Sequence, residues 1–480
     1  MVLSIEPLTR AAIAANRFGF GARPGELAAI VSDPRGWLLA QVRAPYQVPR
    51  EIEGLTNSRE ILATFLRVRQ ERAVQKKRAQ EGFAGATPAA QTLRAALLPH
   101  YVAQADARTR IALTSADSFR EHLVHFWANH FAVSIDKPIC LGTAGAFENE
   151  AIRPYVCGRF ADLLLAVERH PAMITYLDNQ RSVGPNSELA LRAARGAQGP
   201  AAARLGLNEN LAREILELHT LGVDGGYTQS DVTSFAAVLT GWSIGGGEGR
   251  YGADQNGGGE PGAFVFREAL HEPGSKTLLG RRYADAGIGQ GEAVLRDLAA
   301  HPATARHLAT KLARHFVADD PPADLVDRLT RIYQAYDGDL GRVTAALVTW
   351  DGAWLRDARK YKQPQEFIYS TLRALDVLPH EPKVLLASFD ALGQRHWSPG
   401  SPAGWPDRQA DWDGADALMK RIEWSVALAG RVGDASSALS TADASLGPLS
   451  SEHTRAVLAN ADSGSQALTL LLMSPEFQRR

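Results

Sequence analysis

Cysteine is scarce in this sequence. Among 480 residues only Cys140 and Cys157 are cysteines, and this excludes both a disulfide scaffold and a zinc site built from cysteine thiolates. The sequence leaves two states open for the pair, a single bridge between them or two free thiols. Whatever chemistry the chain carries must therefore come from other side chains.

An excess of charge of one sign is also missing. The chain has 52 basic and 53 acidic residues, and this balance excludes a nucleic-acid surface and a general attraction to anionic membranes. No apolar run approaches the roughly 20 residues that span a bilayer. The N-terminus lacks the basic and apolar regions of a secretory signal. The sequence as written predicts a cytoplasmic protein, although an exported protein whose leader had been removed would look the same.

Strand signals are few, and most of the chain has the apolar spacing of amphipathic helices. The apolar content of 45% and the charged content of 22% are ordinary for a globular protein. We therefore predict a mainly α fold, a large multi-helix globular array with a few short strands or hairpins. Three segments are predicted, 1–110, 111–290 with the site, and 291–480, which we expect to form one continuous globular unit. No repeat of fixed period occurs, so a solenoid is not expected.

The stretch 208–222, N-E-N-L-A-R-E-I-L-E-L-H-T-L-G, is predicted to be a helix that begins after Asn208 and ends before Gly222. Glu209, Arg213 and Glu217 follow one another at a spacing of four residues, which is typical of a solvent-exposed ladder. A second interpretation pairs Glu214 with Glu217 against another helix, where two carboxylates bind a hard metal ion or share a proton. Both interpretations stay open.

An earlier stretch, 120–134, R-E-H-L-V-H-F-W-A-N-H-F-A-V-S, is predicted to be the helix that packs against it. His122, His125 and Asn129 share one face, and His130 lies on the adjoining face beside Phe126. Histidines in such aromatic surroundings are more often buried core residues than ligands. This stretch contains neither the zinc motif H-E-x-x-H nor the E-x-x-H repeat that marks di-iron bundles. A metal site here is thus indicated by residue types and not by a diagnostic spacing.

Two later features also concern the site. His301-Pro302 predicts the start of a helix that carries His307, Lys311, Arg314 and His315. The loop 397–412 is rich in proline and tryptophan, and rigid loops of this kind often plug a core or line a cleft. Near the start of the chain, F-G-F-G at 18–21 lacks the lysine and the strand of a phosphate-binding loop.

Seven motifs occur in order along the chain. They are N-R-F-G-F-G at 16–21, F-W-A-N-H-F at 126–131, N-E-N-L-A-R-E-I-L-E-L at 208–218, L-T-G-W at 239–242, H-E-P-G-S-K at 271–276, A-G-W-P-D at 403–407 and S-P-E-F-Q at 474–478. In this combination the chain resembles the bacterial family known as domain of unknown function 1800, over nearly its whole length.

The resemblance implies a mostly helical protein. Many members carry an export signal and are encoded beside sulfatase-like proteins, so it also implies a sulfatase-like partner. This chain departs from those members because it shows no leader. The family pattern includes six residues as they stand here, Asn129, His130, Glu209, Arg213, Glu214 and Glu217. His122 and His125 match it less well, so the resemblance favours His130 as the functional imidazole.

The first functional hypothesis is a metal-dependent enzyme, a hydrolase or an oxidoreductase. His130, Glu214 and Glu217 would bind one divalent ion of iron, manganese or zinc, with Glu150 as a fourth ligand. In this hypothesis Glu209 is the general base. Arg213 would orient a substrate carboxylate through two parallel hydrogen bonds.

The alternative is a non-catalytic assembly or binding protein, in which the same residues form a buried polar network that fixes how the helices pack. A third hypothesis, a haem protein, depends on His130 as the axial ligand beside Phe126 and Trp127. The substrate cannot be read from the sequence under any of the three.

Overall fold

Residues 6–80, 89–196, 206–246, 259–357, 360–432 and 437–480 are described by a computed structural model. Helices dominate these ranges, and the four strands in them form two small antiparallel sheets. The mainly α prediction is therefore confirmed. No helix in these ranges is long and apolar enough to cross a membrane. Both cysteines are free thiols.

The helices up to residue 240 are α1 (Pro7–Ile13), α2 (Glu26–Ile30), α3 (Pro34–Arg43), α4 (Ser58–Gln80), α5 (Ala89–Thr114), α6 (Ser118–His130), α7 (Cys140–Phe147), α8 (Phe160–Glu168), α9 (Pro171–Tyr176), α10 (Glu188–Gly196), α11 (Asn210–Glu214) and α12 (Gln229–Val238). The later helices are α13 (Ile288–Ala300), α14 (Pro302–Phe316), α15 (Ala323–Ala335), α16 (Leu340–Val348), α17 (Pro364–Ala374), α18 (Pro382–Ala391), α19 (Ala415–Val432), α20 (Ala438–Ser445), α21 (Glu452–Ala459), α22 (Gly464–Met473) and α23 (Pro475–Gln478). The strands are β1 (Trp242–Ile244), β2 (Phe264–Phe266), β3 (Lys276–Leu278) and β4 (Arg281–Tyr283). Wider π-helical turns occupy Ala14–Phe18, Glu148–Ile152 and Ile215–His219. Short 3-10 turns occupy Arg50–Ile52, Arg153–Tyr155, Asn179–Arg181, Glu268–Leu270, Asp351–Trp354, Gln409–Asp411 and Gly447–Leu449.

The helix predicted over 208–222 is present, with a wider last turn. The Asn208 side chain accepts a hydrogen bond from the backbone N–H of Asn210 at 2.9 Å, and α11 begins there. The helix continues as the π-helical turn 215–219, which widens its last turn. Gly222 then adopts φ +87°, a conformation that glycine adopts readily, and the chain turns away.

Two apolar clusters meet near the middle of the protein. The larger includes Phe126 and Phe316, from α6 and α14, together with Trp397. The second is built from α17, α18 and the C-terminal helices, and it includes Phe20 and Tyr369. Because α6, α14 and α17 contribute to this junction, side chains far apart in sequence come together there.

Each of these three helices begins at a defined residue. Pro364 occupies the first turn of α17, and Gln363 and Glu366 form a reciprocal capping box at its start. Helix α14 begins in the same way, at Pro302 after His301, as the sequence predicts. The N-cap residue of α6 is Asp117. These start points determine which side chains of the three helices face the junction.

Candidate metal centre

Three buried side chains from three helices converge at the junction. They are His122 from α6, His315 from α14 and Glu366 from the first turn of α17, and one ligand atom from each lies within 4.8 Å of the other two. His122 Nε2 is 3.0 Å from His315 Nε2 and 3.0 Å from Glu366 Oε1, and His315 Nε2 is 4.0 Å from Glu366 Oε1. Within the described residues, no other group of three histidine, cysteine or acidic side chains meets this distance criterion.

The ring of His122 is oriented by the backbone of the F-G-F-G segment. Its Nδ1 lies 2.8 Å from the carbonyl oxygen of Phe18, which can only accept a hydrogen bond, so Nδ1 carries the proton. The lone pair of the neutral ring is then on Nε2 and points to His315 and Glu366. Burial lowers the pKa of His122 to about 4. The ring is therefore neutral at neutral pH and able to act as a ligand.

His315 is oriented in the same manner by a carboxylate. Its Nδ1 lies 3.2 Å from each oxygen of Asp407, in the proline and tryptophan loop, so Nδ1–H donates to that carboxylate. The lone pair again falls on Nε2. Histidines that bind metals in proteins nearly always donate their second ring N–H to a carboxylate or a backbone carbonyl, which fixes the ring orientation. His122 has the carbonyl partner, and His315 has the carboxylate partner.

The carboxylate of Glu366 is held by its own helix. Oε2 accepts a hydrogen bond of 2.9 Å from the backbone N–H of Gln363, which leaves Oε1 directed at His122. Arg480 Nη2 lies 2.8 Å from Oε1 but does not align as a hydrogen bond. The positive charge of Arg480 holds the pKa of Glu366 well below its usual range despite burial.

These orientations leave three electron-rich atoms facing one another. Two imidazole lone pairs at 3.0 Å repel, and each also repels the nearby carboxylate oxygen, unless a proton or a cation lies between them. A divalent ion bound by two histidines and one carboxylate satisfies all three atoms. The donor set and its second hydrogen-bonding partners thus fit a metal ion.

The distances are compatible with one shared ion. Two ligand atoms that each lie about 2.1 Å from the same ion are about 3.0 Å apart at a right angle and at most about 4.2 Å apart. The three separations of 3.0, 3.0 and 4.0 Å fall within this range. All three residues could therefore bind the same ion.

The three ligand atoms face a cavity of about 290 Å³, at the lower end of the size range of small-molecule sites. Its apolar walls include Phe20, whose ring centroid is 4.7 Å from that of His122, and Phe126, 5.2 Å from His315. Trp397 and Trp405 come from the proline and tryptophan loop. The loop therefore lines the cavity, which is one of the two roles that the sequence left open for it.

A buried ionic network contributes to one wall of the cavity. Glu148 accepts hydrogen bonds from Arg108 Nε at 2.9 Å and from the indole N–H of Trp397 at 2.9 Å. Arg153, which is also buried, pairs with Glu121 and lies 3.6 Å from Glu148. Two carboxylates thus neutralise two guanidinium groups, and the network fixes one wall of the cavity.

Of the six site residues predicted from the sequence, His130 is the one that lines this cavity. Its Nε2 lies 3.2 Å from the carbonyl oxygen of His219, in the π-helical turn that follows α11. Burial lowers its pKa well below the usual value, so the ring is neutral. The helices 118–130 and 210–219 do pack together, but through His130 and the backbone of His219.

The acidic residues of α11 lie elsewhere. Glu209 accepts hydrogen bonds from Arg213 at 2.9 Å, Gln229 at 2.9 Å and Thr233 at 2.8 Å, and the last two bonds are the main cause of its lowered pKa. This is the arrangement that the exposed-ladder interpretation predicts for Glu209 and Arg213.

The remaining predicted ligands are also outside the cavity. Burial raises the pKa of Glu214, and Glu217 is 3.5 Å from the hydroxyl of Tyr227. Glu150 accepts hydrogen bonds from Ser58 and from His170 Nε2 at 3.0 Å. In the part of the chain that the structure describes, no three of His130, Glu150, Glu214 and Glu217 come within ligand distance of one another. Metal binding by this set stays a prediction from the sequence that the geometry does not support.

Sequence reasoning missed Glu366 and assigned no role to His122 and His315. The signals were weak, since His315 lies 193 positions after His122 and 51 positions before Glu366, and the three residues share no motif. One usable signal was the Q-P-Q-E sequence at 363–366, which predicts a capped helix start with an inward acid. The other was Asp407, a carboxylate at the end of the otherwise apolar A-G-W-P-D motif.

Comparison with curated proteins finds no match, and comparison with solved structures finds none either. A family model described as "Protein of unknown function (DUF1800)" matches residues 13–479, nearly the whole chain. His122, His315 and Glu366, the loop 397–412 and the buried ionic network all lie within the matched residues. The chain therefore belongs to the DUF1800 family of proteins of unknown function.

Proposed function

We propose that this protein is a metal-dependent enzyme in which His122, His315 and Glu366 bind one divalent ion at the base of the cavity. The proposal depends on one observation. Two oriented imidazole lone pairs and one carboxylate oxygen converge within 4.8 Å, and both rings are oriented through their other nitrogen.

Three protein ligands would leave positions open on a bound ion. An ion held in this way would polarise a substrate oxygen or lower the pKa of a bound water molecule. Two histidines and one carboxylate are typical of non-haem iron oxygenases and also occur in zinc hydrolases. The ligand set therefore fits iron, manganese or zinc, and either a hydrolase or an oxidoreductase.

The chain's own residues would prepare the site. Phe18 and Asp407 keep both imidazoles in the tautomer that can act as a ligand. The aromatic walls limit the access of water, which strengthens electrostatic interactions between the site and a substrate. Asn129 fixes the loop above the cavity, because it donates to the Trp405 carbonyl at 2.9 Å and accepts from the Trp405 N–H at 2.7 Å.

A second candidate is a non-catalytic protein in which the same residues form a structural network. The observation in its favour is that both carboxylates already have resident cations. Arg480 lies 2.8 Å from Glu366, and Lys360 contacts Asp407. In this candidate a proton shared among the two imidazoles and Glu366 takes the place of the ion.

Metal analysis by mass spectrometry separates the two candidates. We expect about one equivalent of iron, manganese or zinc in wild type after incubation with each ion and gel filtration, and less than a tenth of an equivalent in His315→Ala. His307→Gln is the matched control, since His307 lies on the same helix and contacts the carbonyl of Leu218, outside the ligand group. Wild type that retains less than a tenth of an equivalent of every ion would contradict the enzyme proposal.

A further inference from the structure

We infer that the substrate carries an anionic oxygen group, of the carboxylate or phosphate class, and that Lys311 and Arg314 bind this group beside the metal ligands. The inference deepens the proposed function and rests on it for the role of the ion. It depends on a separate observation, which is that two cationic side chains of α14 line the cavity and have no carboxylate partner among the residues that the structure describes.

Lys311 is the first of these cations. It lines the cavity one helical turn before His315, and in the described residues its ammonium group forms neither a hydrogen bond nor a salt bridge. The side chain is half-buried, and an ammonium group in a partly enclosed cavity binds an anion more strongly than one in bulk water. An anion in the cavity would supply the missing partner.

Arg314 is the second cation. Its Nε donates to the backbone carbonyl of Asp319 at 3.2 Å, and this contact fixes the stem of the side chain. No carboxylate among the described residues lies within salt-bridge distance of its guanidinium group, which lines the same cavity. Guanidinium groups form two parallel hydrogen bonds with carboxylate or phosphate oxygens.

The acidic residues of the cavity do not cancel these charges. Glu366 is paired with Arg480, and Asp407 with His315 and Lys360. Asp411 also lines the cavity, but it is exposed, and solvent and salt screen its charge. A third cavity cation, Arg108, is already neutralised by Glu148. The unpaired charge inside the cavity is therefore positive.

Calorimetric titration with sodium acetate and with inorganic phosphate tests the inference. The full-length protein is used in two states, chelator-treated and reloaded with the ion found by metal analysis. We expect wild type to bind at least one of the two anions, and Lys311→Met and Arg314→Gln each to weaken that binding at least tenfold. The acetate and phosphate titrations separate a carboxylate substrate from a phosphorylated one.

Two further variants keep the test specific. Lys311→Arg retains the charge and should bind the anion within about threefold of wild type. Arg306→Gln removes an exposed cation from the same helix, one that pairs with Asp327 at 3.0 Å, and should leave binding unchanged. Circular dichroism of each variant establishes that the helices are intact.

The outcomes separate this inference from the proposed function. If the protein holds a metal ion but wild type binds neither anion, or if Lys311→Met binds the anion as tightly as wild type, the inference is wrong and the proposed function stands. If the protein holds no metal ion but Lys311→Met still loses anion binding, the anion site stands and the proposed function fails.

Discussion

Asp407→Asn tests whether the orientation of His315 matters for metal binding. Both carboxylate oxygens of Asp407 lie 3.2 Å from His315 Nδ1, and the Gln363 amide donates to one of them at 3.0 Å. An asparagine keeps the shape but loses the charge, and its single oxygen is shared between two donors. The imidazole then becomes a weaker and less firmly oriented ligand.

The expected loss is 10- to 100-fold in metal affinity, the usual effect of removing such a partner, or about 1.4 to 2.7 kcal/mol. Competition with a coloured chelator measures it. The fold should survive because Lys360, the other partner of Asp407, keeps its ion pair with Asp319. A dissociation constant within twofold of wild type, in a protein whose His315→Ala variant binds no metal, would refute the reasoning. Asp411→Asn is the control, since Asp411 lines the cavity without contacting His315.

Three further predictions concern the surroundings of the site. Glu148→Gln should lower the free energy of unfolding by about 3 kcal/mol in urea titrations, because the buried Arg108 and Arg153 would lose the carboxylate that they share. Gly404→Ala should lower both the metal occupancy and the free energy of unfolding, measured on one preparation. The reason is that Gly404 has φ +83° and an added Cβ would lie 2.3 Å from the carbonyl oxygen of Asn129. Acetate binding should weaken as the pH rises through about 8 in calorimetric titrations, because burial lowers the pKa of Lys311 to about 8 and its ammonium is lost above that value.

Each of these has a defined contrary result. Asp351→Asn is the control for Glu148→Gln, because it breaks an exposed ion pair with Arg35 and should lower the free energy of unfolding by less than about 1 kcal/mol. If Glu148→Gln lowers it by no more than this control does, the buried network does not stabilise the fold. Wild-type occupancy and stability in Gly404→Ala would mean that the loop does not shape the site. Besides burial, the charge of Asp407 raises the pKa of Lys311 and the charge of Arg314 lowers it. The Lys311 charge in turn lowers the pKa values of His130 and His307. Acetate affinity that stays constant from pH 6 to 9.5 would mean that this lysine does not hold the anion.

The local features of the fold could be predicted from the sequence. Asn208, Gly222 and His301-Pro302 indicated where helices begin and end because capping is a matter of a few neighbouring residues. The proline and tryptophan content of the loop 397–412 indicated a segment that plugs a core or lines a cleft, and the loop lines the cavity. A helical spacing also placed His122 and His125 on one face, and both line the cavity.

The ligand group could not be predicted in this way. His122 and Glu366 are 244 residues apart, so their contact depends on how helices pack and not on any local pattern. The stretch 208–222 attracted the metal prediction because its acids are dense. In the structure Glu209 accepts hydrogen bonds from Thr233 and Gln229, and Glu214 and Glu217 lie outside the cavity. A single sequence does not distinguish an acid that caps its own helix from one that also faces a histidine.

The most direct measurement of the central proposal is an anomalous difference map from crystals grown with the ion that the purified protein retains. We predict one peak about 2.0 to 2.3 Å from His122 Nε2, His315 Nε2 and Glu366 Oε1. A map with no peak there, in which the Arg480 guanidinium or a shared proton joins the two histidines to Glu366, would contradict the proposal.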